Sequence, residues 1–137
     1  MKAIWILLFV CLVSSVHAQT ADSVSRDITP EDQRVFFAVD QQAEFTGGID
    51  GMTKFLNENI VYPSKARKKK IQGKVFVKFI VEKDGTLSSI EVLKGVHALL
   101  DEEAFRVVSV SPPWIPGKQS GKIVRSQFVL PINFVLY

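Results

Sequence analysis

From residue 35 onward the apolar and polar positions follow two different periods, and each change of period marks an element. Val35-Phe36-Phe37-Ala38-Val39 is a short apolar run of strand character. Gly47-Gly48 interrupts the chain, after which Ile49, Met52, Phe55, Leu56 and Ile60 recur at spacings of three and four. That stripe is one face of a helix from about Ile49 to Asn59, and it reads as core. Tyr62-Pro63 restarts the chain. Proline suits a first helical position, so a short helix is expected from Pro63 to Lys70, ending before Gly73.

Over Val75, Val77, Phe79 and Val81 the period falls to two, with Lys74, Lys78 and Glu82 on the opposite face. Phe76 and Ile80 interrupt that polar face, which predicts a central strand partly covered on both sides. Asp84-Gly85 is a hairpin turn signal, and Thr86 to Leu93 is the expected partner strand. Asp101 is a candidate N-cap, with acids in the first turn where the helix dipole favours them, and Leu100, Ala104, Val107 and Val108 form the buried face. Pro112-Pro113 ends this helix. Beyond Trp114-Ile115-Pro116-Gly117 and a glycine-lysine loop through Lys122, the residues Val124, Phe128, Leu130, Ile132, Phe134 and Leu136 alternate with Arg125, Gln127 and Asn133. Pro131 lies inside this last strand and cannot donate to a ladder, so the strand is expected at an edge. The order of elements predicts an α+β fold, a small antiparallel sheet of about three strands with helices packed on one face.

The N-terminal region follows other rules. Met1-Lys2 is a positive start, Ala3 to Val16 is an almost unbroken apolar run, and small residues stand at the third and first positions before Gln19. This is the layout of a secretory signal peptide over residues 1–18, cleaved after Ala18, and it predicts a periplasmic protein. At ~1.5 Å per residue the apolar run spans ~21 Å of a hydrocarbon core ~30 Å thick, which favours cleavage over an anchor helix in the inner membrane. Cys11 is preceded by Val10, where a lipoprotein signal wants a small residue. Gln19 to about Arg34 is polar and without period, a flexible lead-in to a domain over 35–137.

Composition narrows the chemistry. Cleavage removes the only cysteine and leaves His97 as the only histidine, so neither a disulfide framework nor a cysteine-based zinc site is available. The net charge of +3 falls by one with Lys2 and by itself predicts no polyanionic partner. Lys65, Arg67, Lys68, Lys69, Lys70 and Lys74 form a basic cluster that could touch phosphate or lipid headgroups or simply be a solvated helix face. It lacks the interleaved aromatics of a nucleic-acid surface. Gly117-Lys118-Gln119-Ser120-Gly121-Lys122 fails as a phosphate-binding loop, having only three residues between its glycines and Ile123 where Ser or Thr is needed. It reads as a hairpin loop. No nucleophile stands with His97, so neither an enzyme nor a cofactor or metal is expected.

Tyr62-Pro63-x-x-Ala66, Gly73-x-Val75-x-Val77-x-Phe79-x-Val81-x-x-Asp84-Gly85, Asp101-x-x-Ala104, Trp114-x-Pro116-Gly117 and Phe128-x-Leu130-Pro131-Ile132-x-Phe134 together resemble the C-terminal domain of the TonB family. Glu44-Phe45-Thr46-Gly47-Gly48 resembles the lead-in of its Bacteroidetes branch, where proline often stands at the place of Thr46. The resemblance covers about Val35 to Tyr137. It implies an energy transducer working with an ExbB–ExbD inner-membrane complex, whose periplasmic domain takes up a peptide of a TonB-dependent outer-membrane receptor as an added strand. Carried onto this sequence, it implies receptor contact at Tyr62 and Pro63 and a binding edge along about Ile123 to Val135, with Arg125 among the contacts. Within that edge the missing N–H of Pro131 sets the parity: Gln127, Val129, Pro131 and Asn133 direct their backbone groups outward to an incoming peptide, and Phe128, Leu130 and Ile132 bond to the interior strand. Tyr62 also reads as an aromatic packed over Pro63. The chain departs from the full transducer pattern in lacking a convincing membrane span and a long proline-rich spacer. The alternative it leaves open is a soluble periplasmic interaction module without energy coupling, and a homodimer is compatible with either.

Overall fold

The computed structural model describes residues 33–137. The expected signal segment and all but the end of the lead-in lie outside the described residues. Nine elements follow in order: β1 (Val35–Phe36), α1 (Gly48–Asn59), α2 (Ser64–Lys68), β2 (Gly73–Val81), β3 (Leu87–Lys94), α3 (Ala98–Ser109), β4 (Lys118–Gln119), β5 (Lys122–Ile123) and β6 (Arg125–Phe134). The main sheet has the order β1-β6-β2-β3, and β4 with β5 forms the separate hairpin expected of the glycine-lysine loop.

The period-two pattern decides the sheet. Val75, Val77, Phe79 and Val81 are fully buried, and their strand β2 is central between β3 and β6. The β2–β3 turn is closed by Gly85 N–H to Glu82 O at 2.9 Å and Glu82 N–H to Thr86 O at 2.8 Å. Gly85 is left-handed at φ +86, and a Cβ there would lie 2.1 Å from the carbonyl oxygen of Trp114, so only glycine fits. On β6 the residues Ser126, Leu130, Ile132 and Phe134 are buried on the same face. Helix α3 covers that face with Leu100, Ala104, Val107 and Val108, while Met52, Phe55 and Leu56 of α1 close its margin. Burial of this continuous apolar layer is the main stabilising term.

Several local expectations are corrected. The sheet gains a fourth strand, because the first apolar run pairs parallel to β6, with Val35 opposite Arg125 and Phe36 opposite Ser126. Only two residues pair; Phe37 is 79% exposed. Ile49 is 77% exposed and lies outside the core, at the first turn of α1. Pro63 is the N-cap of α2 with extended ψ, not its first helical residue. The cap of α3 is His97, whose Nδ1 accepts from Leu99 N–H at 3.1 Å. Asp101 sits one turn further on and accepts from Val96 N–H at 3.0 Å, anchoring the loop that leads in.

Candidate functional site

β2 pairs with β6 over nine consecutive positions, from Gly73 opposite Phe134 to Val81 opposite Ser126, with no irregularity. On its other side β6 is paired only at Arg125 and Ser126, a ladder whose last bond takes the Gln127 N–H, and the stretch from the Gln127 carbonyl to Phe134 is open among the described residues. Pro131 fixes which backbone groups face that opening. Antiparallel partners alternate between pairs that exchange two hydrogen bonds and pairs that exchange none, and proline has no N–H to exchange. Its pair with Phe76 is therefore of the second kind, as by alternation are Gln127 with Ile80, Val129 with Lys78 and Asn133 with Lys74. Gln127, Val129, Pro131 and Asn133 thus aim their backbone groups away from β2. Val129, Pro131 and Asn133 are also exposed through their side chains, on the sheet face opposite the helices.

The sheet's other edge is built differently. The β2–β3 ladder shifts register twice, and Ser89 of β3 is left-handed at φ +48. Bulges and left-handed residues twist an edge away from further pairing, so β3 is a protected edge, while β6 beyond the two-residue β1 is regular and open.

Beside Gln127, where β1 stops, a groove of about 300 Å³ opens between Val35, Phe37, Lys78, Ile80, Glu91 and Gln127. Lys78 Nζ and Glu91 Oε1 form an ion pair at 2.8 Å there. Sequence reasoning did not find this groove. Its one signal was the break that Ile80 makes in the polar face of β2, because Phe37 and Glu91 reach it only through tertiary pairing.

Arg125 is turned to an internal task. Its Nε donates to Glu82 Oε2 at 2.6 Å and its Nη2 to Glu82 Oε1 at 3.0 Å, while Nη1 donates to the Gln33 carbonyl at 2.6 Å. The same guanidinium ties the approach to β1 onto the end of β2. Tyr62 also points inward: its hydroxyl donates to the Ile71 carbonyl, its ring stands edge-on to Phe134 at 5.9 Å, and the Arg67 guanidinium lies over it at 5.5 Å. Pro63 instead lines a second groove of about 310 Å³ with Val61, Leu99, Glu102, Glu103 and Arg106. The structure thus gathers Gln127, Val129, Pro131 and Asn133 on one edge and places Tyr62 and Pro63 apart from it. Among the described residues no group of acids, histidines or cysteines is placed to hold a metal, and no helix is long and apolar enough to cross a membrane.

The hydrogen bonds from Arg125 hold the Glu82 carboxyl below the ordinary glutamate range, with a further bond from Ser88 acting the same way against partial burial. Burial pushes Glu103 up, but bonds from Arg106 and from Val61 N–H outweigh it, and this carboxyl is lowered too. A carboxyl lowered on folding adds stability that is fully present above its unfolded pKa and is lost as pH falls through its folded one. Thermal melts are therefore expected to lose temperature steadily as pH falls below the ordinary glutamate range. Glu82→Gln should begin lower at neutral pH and show a shallower fall. An identical pH profile for the variant would show that the Arg125 pair carries no net linkage.

A family model described as Gram-negative bacterial TonB protein C-terminal matches residues 58–136. The solution structure of the Helicobacter pylori TonB C-terminal domain is similar with a TM-score of 0.48 and 21% sequence identity, over 63% of this chain and 78% of that one. No curated protein matches the chain.

Proposed function

Because the chain belongs to the TonB C-terminal family, we propose that it takes up a peptide of an outer-membrane receptor as an added strand along β6, within energy-coupled transport across the envelope. Membership itself carries a TonB-like role in envelope transport, in a family of non-enzymatic interaction domains that engage outer-membrane receptors. The finer reading rests on one observation: β6 has a regular, unpaired edge from the Gln127 carbonyl onward, whereas β3 is broken by two register shifts. A guest strand finds two free N–H donors, on Val129 and Asn133, and four carbonyls on Gln127, Val129, Pro131 and Asn133; the Gln127 N–H is already taken by β1. The groove beside Gln127 supplies a side-chain subsite, and Pro63 with its groove is a second contact.

At a net ~0.5–1.5 kcal/mol per hydrogen bond, less the cost of ordering the peptide, the expected affinity is on the order of micromolar. Titration with a receptor peptide, followed through backbone amide shifts, tests the reading. The largest shifts are expected at Val129 and Asn133, whose N–H groups are free; shifts concentrated on β3 would overturn it.

The domain works in the periplasm under this reading, exported by residues 1–18 and cooperating with an ExbB–ExbD-type complex or with a second copy of itself. The second reading, an interaction module uncoupled from energy, is favoured by the ~21 Å reach of the apolar run, too short for a stable anchor.

A further inference from the structure

Strand addition leaves the most charged part of the domain unused. No acid stands between Glu58 and Glu82, while Lys65, Arg67, Lys68, Lys69, Lys70, Lys74 and Lys78 all fall there. Lys78 is paired with Glu91, and Arg67 lies over Tyr62. Lys65, Lys68, Lys69, Lys70 and Lys74 are exposed and form no ion pair among the described residues.

Tertiary structure adds to this cluster what the sequence keeps apart. A Cβ on Gly73 would lie 2.7 Å from Val96 Cγ2, so Val96, which is 44% exposed, sits against the start of β2 beside Lys74. Gly73 is opposite Phe134 and Phe76 opposite Lys94, which brings exposed Val135 and Lys94 to the same end of the sheet. Leu136 N–H donates to Gln72 Oε1 at 2.7 Å and holds the last residues there. One end of the domain therefore presents Lys69, Lys70, Lys74 and Lys94 with exposed apolar side chains among them.

Ammonium groups interspersed with valine side chains fit a bilayer surface, where the cations meet phosphate headgroups and the apolar groups enter the interfacial layer. Nucleic acid is the poorer match, since the patch offers no stacking ring and its arginine is already engaged by Tyr62. We propose that this end of the domain docks on a membrane surface rich in anionic phospholipid. It stands at the Phe134 end of β6, opposite the end that β1 covers; Lys74 is cross-strand from Asn133, so docking leaves the open edge free from Gln127 to Pro131.

The test partitions the full chain onto phosphatidylglycerol-containing vesicles and onto neutral phosphatidylcholine vesicles and takes the ratio of the two. Residues 1–18 are the same in wild type and variants, so their contribution cancels when the ratios are compared. A lysine near an anionic surface contributes about fivefold, so K69Q/K70Q/K74Q/K94Q is expected to lower the ratio by more than ~100-fold. Added salt should lower the wild-type ratio as well. K54Q/K122Q, which removes lysines elsewhere, should keep most of it. An unchanged ratio in the quadruple variant, or an equal loss in K54Q/K122Q, overturns the proposal. So does lysine-dependent binding to peptidoglycan sacculi or duplex DNA without preference for anionic vesicles, which would assign the patch to another polyanion. If circular dichroism shows the quadruple variant unfolded, Lys69→Gln and Lys74→Gln measured singly decide, each with an expected loss of about fivefold. Receptor-peptide titration should keep its shift at Val129, which lies away from the Lys74–Asn133 pair, so this proposal and the strand-addition reading fail separately.

Discussion

Phe79→Ala is expected to destabilise the domain by about 3–5 kcal/mol, a large share of the ~5–15 kcal/mol that holds a native domain folded. The side chain is fully buried on the central strand. Its ring meets Trp114 at 5.2 Å and Phe128 at 5.6 Å, and Trp114 in turn meets Phe128 at 4.9 Å and Phe45 at 5.5 Å. Removing it leaves a hole in the middle of this aromatic cluster. Trp114 cannot move in to fill it, because its N–H donates to the Gly85 carbonyl at 2.8 Å and its indole Nε1 to Ser111 Oγ at 2.9 Å. The neighbouring Lys78→Ala removes only a half-exposed ion pair, which contributes about 0–1 kcal/mol. Urea or thermal melts of the two variants check the expectation, with a fall in Tm of more than ~10 °C for the first and little change for the second. Equal and small effects would mean that the inward face of β2 is misassigned.

A pair of proline substitutions on β6 is expected to separate binding from folding. Val129 and Pro131 face the opening with the same parity, so Val129→Pro removes an N–H that no strand of the domain uses. The fold should survive, and the added ring should block a guest strand, abolishing peptide binding. Leu130 has the other parity: it faces Val77 in a pair that exchanges hydrogen bonds, and its side chain is buried. Leu130→Pro breaks the ladder at its middle and withdraws a core residue, and the domain should unfold. Circular dichroism and peptide titration on both variants decide. If Val129→Pro unfolds the protein or binds receptor peptide as well as wild type, β6 is not the docking edge.

What the sequence made legible was what depends on neighbours along the chain. Alternation at Val75, Val77, Phe79 and Val81 is a local pattern with a single buried solution, and Asp84-Gly85 determines its own turn. Pro131 announced an unpaired side because its missing N–H holds in any context, although the strand is not a full edge, since β1 covers its first two positions. What stayed hidden depends on partners far away. The short run at Val35 carries no sign of which strand it joins, and its parallel seat on β6 exists only once Arg125 and Glu82 have met across 43 positions. His97 is the cap in place of Asp101 because α3 begins at Ala98, which puts Asp101 inside its first turn, where it accepts from Val96 N–H. Ser89 gave no warning of its left-handed turn, since serine is permitted there without being favoured. For the site, the parity of β6 followed from Pro131, but the groove beside Gln127 needs Phe37 and Glu91, which meet only in the folded sheet.

The unequal length of the two ladders on β6 has a mechanical consequence. A guest strand pulled along its own axis loads its hydrogen bonds in shear, all at once, which resists far more than peeling them open one by one. The same load then passes through β6 to β2, where nine paired positions and a fully buried face share it. On the outer side at most four residues can grip. Under rising tension the outer joint gives way first, so the domain would release its cargo intact and be ready to grip again, a coupling whose breaking point lies outside the part that must be reused.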